Sequence, residues 1–483
     1  MSHSIKRNFV YNILLNISSV IFPLITAPYV SRVLEPDGVG LYNFANTYAG
    51  YFALVALLGI PTYGVREVAK ARDNKEELSK LTSQLMSIAA ITTICISIIY
   101  FLTIALIGQL TENYIFFLLA GFVIYLAPFK INWFYQGLED FAFITKVSVF
   151  VKAVCVVCLF LFVREKTDLV IYIILSVFGI VIADMLNYFK MWRSGIKPKF
   201  TLKGLKQHVN PLLVLLASSV AMSIYTVLDT LMLGFIADYD EVGYYTNAMH
   251  ISKVLVSAVT SLSMVVAPRV SYYVKSKNYE KINELSNTSF SFVSFLSVPI
   301  TIGLICVSPL FLPLFFGIHF VGSVAPMMIL SLLVIFIGLN NLTGIQILIG
   351  LGHDKLFLYS VLVGTITNFL MNIILIPIWG SVGASIASVV AEFLILTVMI
   401  YFILMKTPIR FYKWRDFFKS VIGAFILIPL YYLLDKCFEE WVLVFSYAIL
   451  GGFIYLSVEY FFKNSSAILF TQTIVDKLNT KKS

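Results

Sequence analysis

Charge is scarce in this chain. Only 13% of its 483 residues are Asp, Glu, Lys or Arg, 59% are hydrophobic, and the mean hydropathy is +0.89. Soluble domains carry about 25% charged residues, so the composition excludes an ordinary water-facing fold. Cysteine is scarce too. Cys95, Cys155, Cys158 and Cys306 sit in apolar runs and Cys437 beside one, which leaves no disulfide framework. Cys155 and Cys158 form a CxxC, but no second pair or histidine accompanies it as a zinc or redox centre would need. No GxxxxGK[ST] phosphate loop occurs, so ATP hydrolysis by this chain is not expected. The segments between apolar runs are short and leave no room for a soluble catalytic domain. No catalytic residue, cofactor or metal site is expected.

What the chain has is length in apolar runs. A bilayer crossing takes about 20 apolar residues, and about fourteen runs qualify. They lie near 8–34, 41–69, 81–107, 114–136, 141–163, 168–193, 208–237, 242–274, 285–310, 321–350, 356–379, 382–405, 416–434 and 441–462. The expected fold is an all-α polytopic membrane protein. The first run is too long for a cleavable signal peptide and lacks a small-residue cleavage site, so it is expected to remain as a helix.

Basic residues orient these runs. All but six of the 35 Lys and Arg residues fall on one alternating set of boundaries. Of the six, Arg32, Arg164, Lys166 and Lys436 lie on the opposite boundaries, while Lys152 and Lys253 lie inside apolar runs. The positive-inside rule then places both termini in the cytoplasm and makes the number of crossings even. The formal charge of +9 is thus a topology signal with affinity for anionic lipid, and nucleic acid is not an expected partner. The sequons at Asn287 and Asn341 fall on cytoplasmic or intramembrane positions and are disregarded as glycosylation sites.

The chain also repeats itself. Asp37-Gly38-Val39-Gly40-Leu41-Tyr42 matches Asp240-Glu241-Val242-Gly243-Tyr244-Tyr245 at an offset of 203, and the same register aligns Arg66 with Arg269. Asp184 and Glu392 match at a slightly larger offset. An offset spanning six helices relates two lobes of like orientation. The expected organisation is 1–206 for helices 1 to 6, 207–408 for helices 7 to 12, and 409–483 for two further helices and a tail.

Polar residues recur at helical spacing on the repeat-related helix pairs. Asn12 and Asn16 lie on helix 1, Asn43 and Asn46 on helix 2, Asp229 with Ser219 and Ser223 on helix 7, and Asn247 on helix 8. Such residues also glue helices together, but four faces on two equivalent pairs favour a hydrated cavity. Intramembrane charges sharpen the argument, since each is costly in hydrocarbon unless it meets protein, water or a partner. Lys152 and Lys253 are too deep to reach an interface easily, and Arg32, Lys130 and Arg269 lie near helix ends. Asp229, Asp184 and Glu392 fit either counter-ions or sites for a coupling Na⁺ or H⁺. An excess of fixed cations points to an anionic cargo, such as a phosphate-bearing lipid headgroup.

Three stretches carry a family resemblance. They are residues 8–74, with PYVSRVLEPDGVGLYNFANTYAGYFALVALLGIPTYGVREVAKARDN, residues 132–153, NWFYQGLEDFAFITKVSVFVKA, and residues 227–255, VLDTLMLGFIADYDEVGYYTNAMHISKVL, followed by Ala267-Pro268-Arg269. Together they resemble the polysaccharide-transporter (Wzx-like) flippases of the multidrug/oligosaccharidyl-lipid/polysaccharide exporter superfamily. The resemblance implies two pseudo-symmetric six-helix lobes and a cationic cavity lined by helices 1, 2, 7 and 8. It implies transfer of undecaprenyl-pyrophosphate-linked oligosaccharide to the outer leaflet of a bacterial cytoplasmic membrane, for O-antigen, capsule or exopolysaccharide. Lys152 and Lys253 would hold the pyrophosphate with help from Arg32, Lys130 and Arg269. Asp229 would couple an ion, helices 13 and 14 would guide the lipid tail, and polymerase and chain-length machinery would be partners. A drug/ion antiporter of the same superfamily and a membrane-embedded glycan polymerase or ligase are the alternatives. The former would want an acidic cavity and the latter a large outer loop.

Overall fold

The computed structural model describes residues 5–261, 263–411 and 413–480, and no strand occurs among them. Nine of the described helices are long and apolar enough to cross a membrane. The number is ten if Ile318–Leu330 and Leu333–Ile349, bent by 41°, make one broken crossing. Large apolar side chains cover the outside, among them Phe150, Val157, Ile374 and Phe453. Exposure on that scale is tolerable only where the surrounding solvent is hydrocarbon. The chain is a multi-pass membrane protein.

Two helices exceed one crossing. Ile5–Ala56 has 52 residues and Asp354–Lys406 has 53. At about 1.5 Å per residue each would reach some 80 Å if straight, against a hydrocarbon layer of roughly 30 Å. Each also breaks near its middle, at Glu35 (φ 57, ψ 178) and at Gly380 (φ 53, ψ −127). The difference from the fourteen runs of the sequence lies partly here, because each of these two helices takes in two of the runs. The helices Lys206–Ile236 and Tyr239–Thr260, which carry Ser218, Ser219, Ser223, Asp229 and Lys253, are not among the nine.

The chain divides into two compact units, Met1–Gly243 and Tyr244–Ser483. In the first, Gly59 takes a left-handed φ of 77 and Pro61 opens the next helix, so Ile5–Ala56 stops and Ile60–Ala71 starts within four residues. Asn74 then caps Lys75–Leu106, accepting from the amides of Glu76 and Glu77 at 3.0 and 3.2 Å. Both glutamates also complement the helix dipole. The core at this end joins Ile60, Tyr63 and Val68 to Leu81, Leu85, Trp133 and Phe134. A polar chain threads it: the Tyr63 hydroxyl lies 2.8 Å from His208 Nδ1, and His208 Nε2 lies 3.0 Å from Gln84 Oε1.

In the second unit Tyr279–Phe316 is the spine. The last helices lean on it through Phe295, Val298, Leu427, Tyr447 and Tyr455, and the Tyr455 hydroxyl donates to the Phe295 carbonyl at 2.9 Å. Asn287 is fully buried and donates to the Arg410 carbonyl at 2.9 Å, so its sequon is inaccessible to modification. The helix after the bend ends in a π-helical stretch, Asn341–Ile349. Such stretches are rare and concentrate at functional sites.

Candidate functional site

The first unit holds most of the candidate residues. Phe141–Phe162 is a 22-residue apolar helix, and Lys152 sits half-buried near its middle. No carboxylate lies within ion-pair distance of Lys152 among the described residues. Arg32 is exposed in the turn before the break at Glu35, and Lys130 is exposed where the helix Tyr114–Gly137 frays into a 3₁₀ turn. Asn12 is exposed, Asn43, Asn46 and Asp229 are half-buried, and the side chain of Asn16 lies outside the described residues. The Tyr51 hydroxyl donates to the Ser223 carbonyl at 2.9 Å, which ties the second half of Ile5–Ala56 to the helix bearing Asp229. In the second unit Lys253 and Arg269 are exposed and Asn247 is buried.

The two acids flagged by the repeat each accept a hydrogen bond from an asparagine. Asn132 Nδ2 donates to Asp184 Oδ1 at 3.4 Å, and Asn187 Nδ2 donates to Asn132 Oδ1 at 2.8 Å. Asn340 Nδ2 donates to Glu392 Oε2 at 2.6 Å and to the Glu392 carbonyl at 3.0 Å. No Lys or Arg nitrogen lies within ion-pair distance of Asp184 among the described residues.

Sequence reasoning did not single out two other arrangements. Lys166 sits in a turn held by a capping box between Glu165 and Asp168. From there its Nζ reaches Glu35 and Asp37, each at 2.9 Å, and closes the break in Ile5–Ala56. The repeated glycines also meet. A Cβ on Gly40 would overlap the Tyr239 carbonyl oxygen and stand 2.9 Å from the Gly243 nitrogen, while a Cβ on Gly243 would overlap the Pro36 carbonyl oxygen. Pro36 and Tyr239 are themselves equivalents at the offset of 203, so the contact is reciprocal. Only glycine permits backbones this close. The VG match was visible in the sequence as a repeat but gave no sign that its copies touch.

A multi-pass helical membrane protein with an internal repeat and a half-buried lysine in the middle of an apolar helix is the class these features define. Residues 5–274, more than half of the chain, match the polysaccharide biosynthesis protein family, and the chain belongs to it. Residues 215–374 also match the MatE family. A putative O-antigen transporter of Escherichia coli is 22% identical over 408 residues, covering 83% of this chain and 97% of that protein. A probable low-salt glycan biosynthesis flippase of Haloferax volcanii is 23% identical over 234 residues, 47% of this chain and 48% of that one. Among solved structures, the lipid II flippase MurJ in an inward closed conformation superposes with a TM-score of 0.71 at 16% identity, covering 96% of this chain and 100% of that chain. The chain therefore has the MurJ-like fold, and the resemblance to polysaccharide transporters of this superfamily is borne out.

Proposed function

We propose that the chain is a flippase that carries lipid-linked oligosaccharide from the inner to the outer leaflet of the bacterial cytoplasmic membrane. The observation that carries this reading is Lys152, a half-buried cation in the middle of an apolar membrane helix with no carboxylate beside it among the described residues. A fixed positive charge in low dielectric is worth its desolvation cost where an anion comes to it. Family membership and the names of the relatives supply the cargo class, a glycan on a lipid carrier. The finer cargo is an undecaprenyl-pyrophosphate-linked repeat unit for O-antigen, capsule or exopolysaccharide. Its pyrophosphate would be held by Lys152 and Lys253, assisted by Arg32, Lys130 and Arg269.

On this reading the chain makes fourteen crossings with both termini in the cytoplasm, as two six-helix lobes and two further helices. The breaks at Glu35 and Gly380, each dividing an over-long helix into two lengths that fit the bilayer, support that count. The sugar headgroup enters a cationic cavity from the cytoplasm while the polyprenyl tail stays in lipid. Alternating access then exposes the headgroup outside, with Asp229 coupling the movement to an ion gradient. Downstream partners are the polymerase and chain-length machinery. The chain moves its cargo and does not alter it chemically.

The test is leaflet accessibility of the lipid-linked oligosaccharide in cells depleted of this chain, probed with an external sugar-cleaving reagent. Inner-leaflet accumulation, reversed by wild type and not by a Lys152→Gln/Lys253→Gln variant expressed to the same level, is the expected result. Unchanged sidedness with altered polymer length would favour a glycan polymerase instead. The MatE match favours a second reading, a drug/ion antiporter. Gradient-driven efflux of a cationic dye by the purified chain, without glycan transfer, would establish it.

A further inference from the structure

The chain between Leu169–Arg193 and Lys206–Ile236 combines charge of one sign with exposed apolar side chains. No acid occurs from 185 to 228, while Arg193, Lys197, Lys199, Lys203 and Lys206 follow one another. None of these five has a carboxylate within ion-pair distance among the described residues. Among these cations stand Phe200 and Leu202, 67% and 70% exposed. Phe189 and Trp192, one turn apart on the preceding apolar helix, are 57% and 45% exposed, so a lipid-facing helix surface leads into the segment.

The segment is held against a crossing helix. No helix or strand spans 196–205, and left-handed glycines bound it, Gly195 at φ 89 and Gly204 at φ 75. The Lys199 amide donates to Ser83 Oγ at 3.1 Å and the Thr201 amide to Ser87 Oγ at 2.9 Å. Gln84 Nε2 donates to the Lys203 carbonyl at 3.1 Å, and the Lys203 amide donates to Thr201 Oγ1 at 3.1 Å. Ser83 and Ser87 both lie in the apolar run near 81–107, with Ser87 one turn, about 6 Å, farther along Lys75–Leu106. The loop therefore descends beside that helix and turns back, with Phe200 and Leu202 on either side of its deepest bonded residue, Thr201. Backbone satisfied by side chains in this way suits the edge of a bilayer, where water does not complete it.

We propose that residues 195–204 are a membrane anchor for acidic phospholipid, in which Phe200 and Leu202 enter the acyl border of the leaflet and Lys197, Lys199 and Lys203 bind headgroup phosphates. Charge complementarity selects the occupant. An anionic leaflet attracts juxtamembrane lysines, and their long stems let the ammonium groups rise to the phosphates while the backbone stays lower. Lys197 Nζ already stands 4.9 Å over the Trp192 ring, and tryptophan favours the headgroup level of a membrane. The hold reaches beyond the loop, since Gln84 Oε1 lies 3.0 Å from Nε2 of His208, in the first turn of Lys206–Ile236. That the leaflet is the cytoplasmic one rests on the orientation proposed for the flippase. The anchoring stands on the loop alone.

The experiment is amide hydrogen exchange of the full chain in nanodiscs of phosphatidylcholine, alone or mixed with phosphatidylglycerol. Exchange at Lys199 and Thr201 requires the loop to leave Ser83 and Ser87, so a lipid that holds the docked loop slows it. Phosphatidylglycerol should slow exchange in peptides covering 196–204 by about tenfold, and high salt should remove the difference. A Lys197→Gln/Lys199→Gln/Lys203→Gln variant should exchange at the phosphatidylcholine rate in both discs. A Phe200→Ser/Leu202→Ser variant should lose most of the slowing with every lysine in place. Equal exchange of the wild type in the two discs overturns the proposal. So does equal slowing by inorganic phosphate in phosphatidylcholine discs, which would make the loop a site for free anions. Full slowing in the Phe200→Ser/Leu202→Ser variant overturns the insertion. Oligosaccharide flipping is scored separately on the same protein. A protected loop without flipping removes the flippase reading alone, and flipping without protection removes the anchor alone.

Discussion

The two over-long helices solve one geometric problem with different chemistry. Ile5–Ala56 turns at Glu35, a residue with a side chain held at a φ that glycine prefers, and Lys166 bridges Glu35 and Asp37 across the turn. Pro36 forces the extended ψ of the residue before it. Asp354–Lys406 turns at Gly380, where the missing Cβ removes the strain and the structure shows no ion pair across the turn among the described residues. The first break is strained and clamped by charge, and the second is relaxed.

Four substitutions probe that contrast. Gly40→Val should have the largest effect, because its Cβ meets the Tyr239 backbone, which cannot rotate away. Overpacking of this kind costs about 1–3 kcal/mol or more, read as a lower unfolding midpoint and reduced monodisperse protein. Gly380→Ala places a side chain at a φ and ψ essentially confined to glycine and should cost about 1–3 kcal/mol. Glu35→Gly relieves the same kind of strain, so its midpoint should hold or rise even though an ion pair is lost. Equal destabilisation by the last two would erase the difference between the breaks. Lys166→Ala should have the smallest effect on stability, under about 1 kcal/mol, because its ion pairs are solvent-exposed and screened. Its deficit should vanish in high salt, and a salt-independent loss would mean the clamp acts by packing.

The sequence made part of this legible. Apolar runs and the alternation of Lys and Arg predicted a polytopic helical protein because the bilayer imposes a length and the cell imposes a charge bias. The repeat was readable because Asp37-Gly38-Val39-Gly40 and Asp240-Glu241-Val242-Gly243 stayed alike. The acids' partners were half readable: Asp184 and Glu392 stood out as charges, but nothing in the sequence singled out Asn132 and Asn340, at the same offset. Irregular backbone lies beside each asparagine, and 3₁₀ and π segments arise from packing that periodicity does not encode. Lys166 read as a topology charge for a related reason, since an ion pair across 131 residues is a property of the fold.

On the proposed flippase reading, Lys152 is kept for its cargo at no gain to the fold. The direct measurement is transfer of undecaprenyl-pyrophosphate-linked oligosaccharide across proteoliposomes containing wild type or Lys152→Met, with the unfolding midpoint recorded for both. The variant should lose flipping by at least tenfold while its midpoint stays level or rises, since an unneutralised half-buried ammonium is replaced by an apolar chain of similar length. Wild-type flipping in a variant whose midpoint falls would contradict it, and would make Lys152 a structural residue.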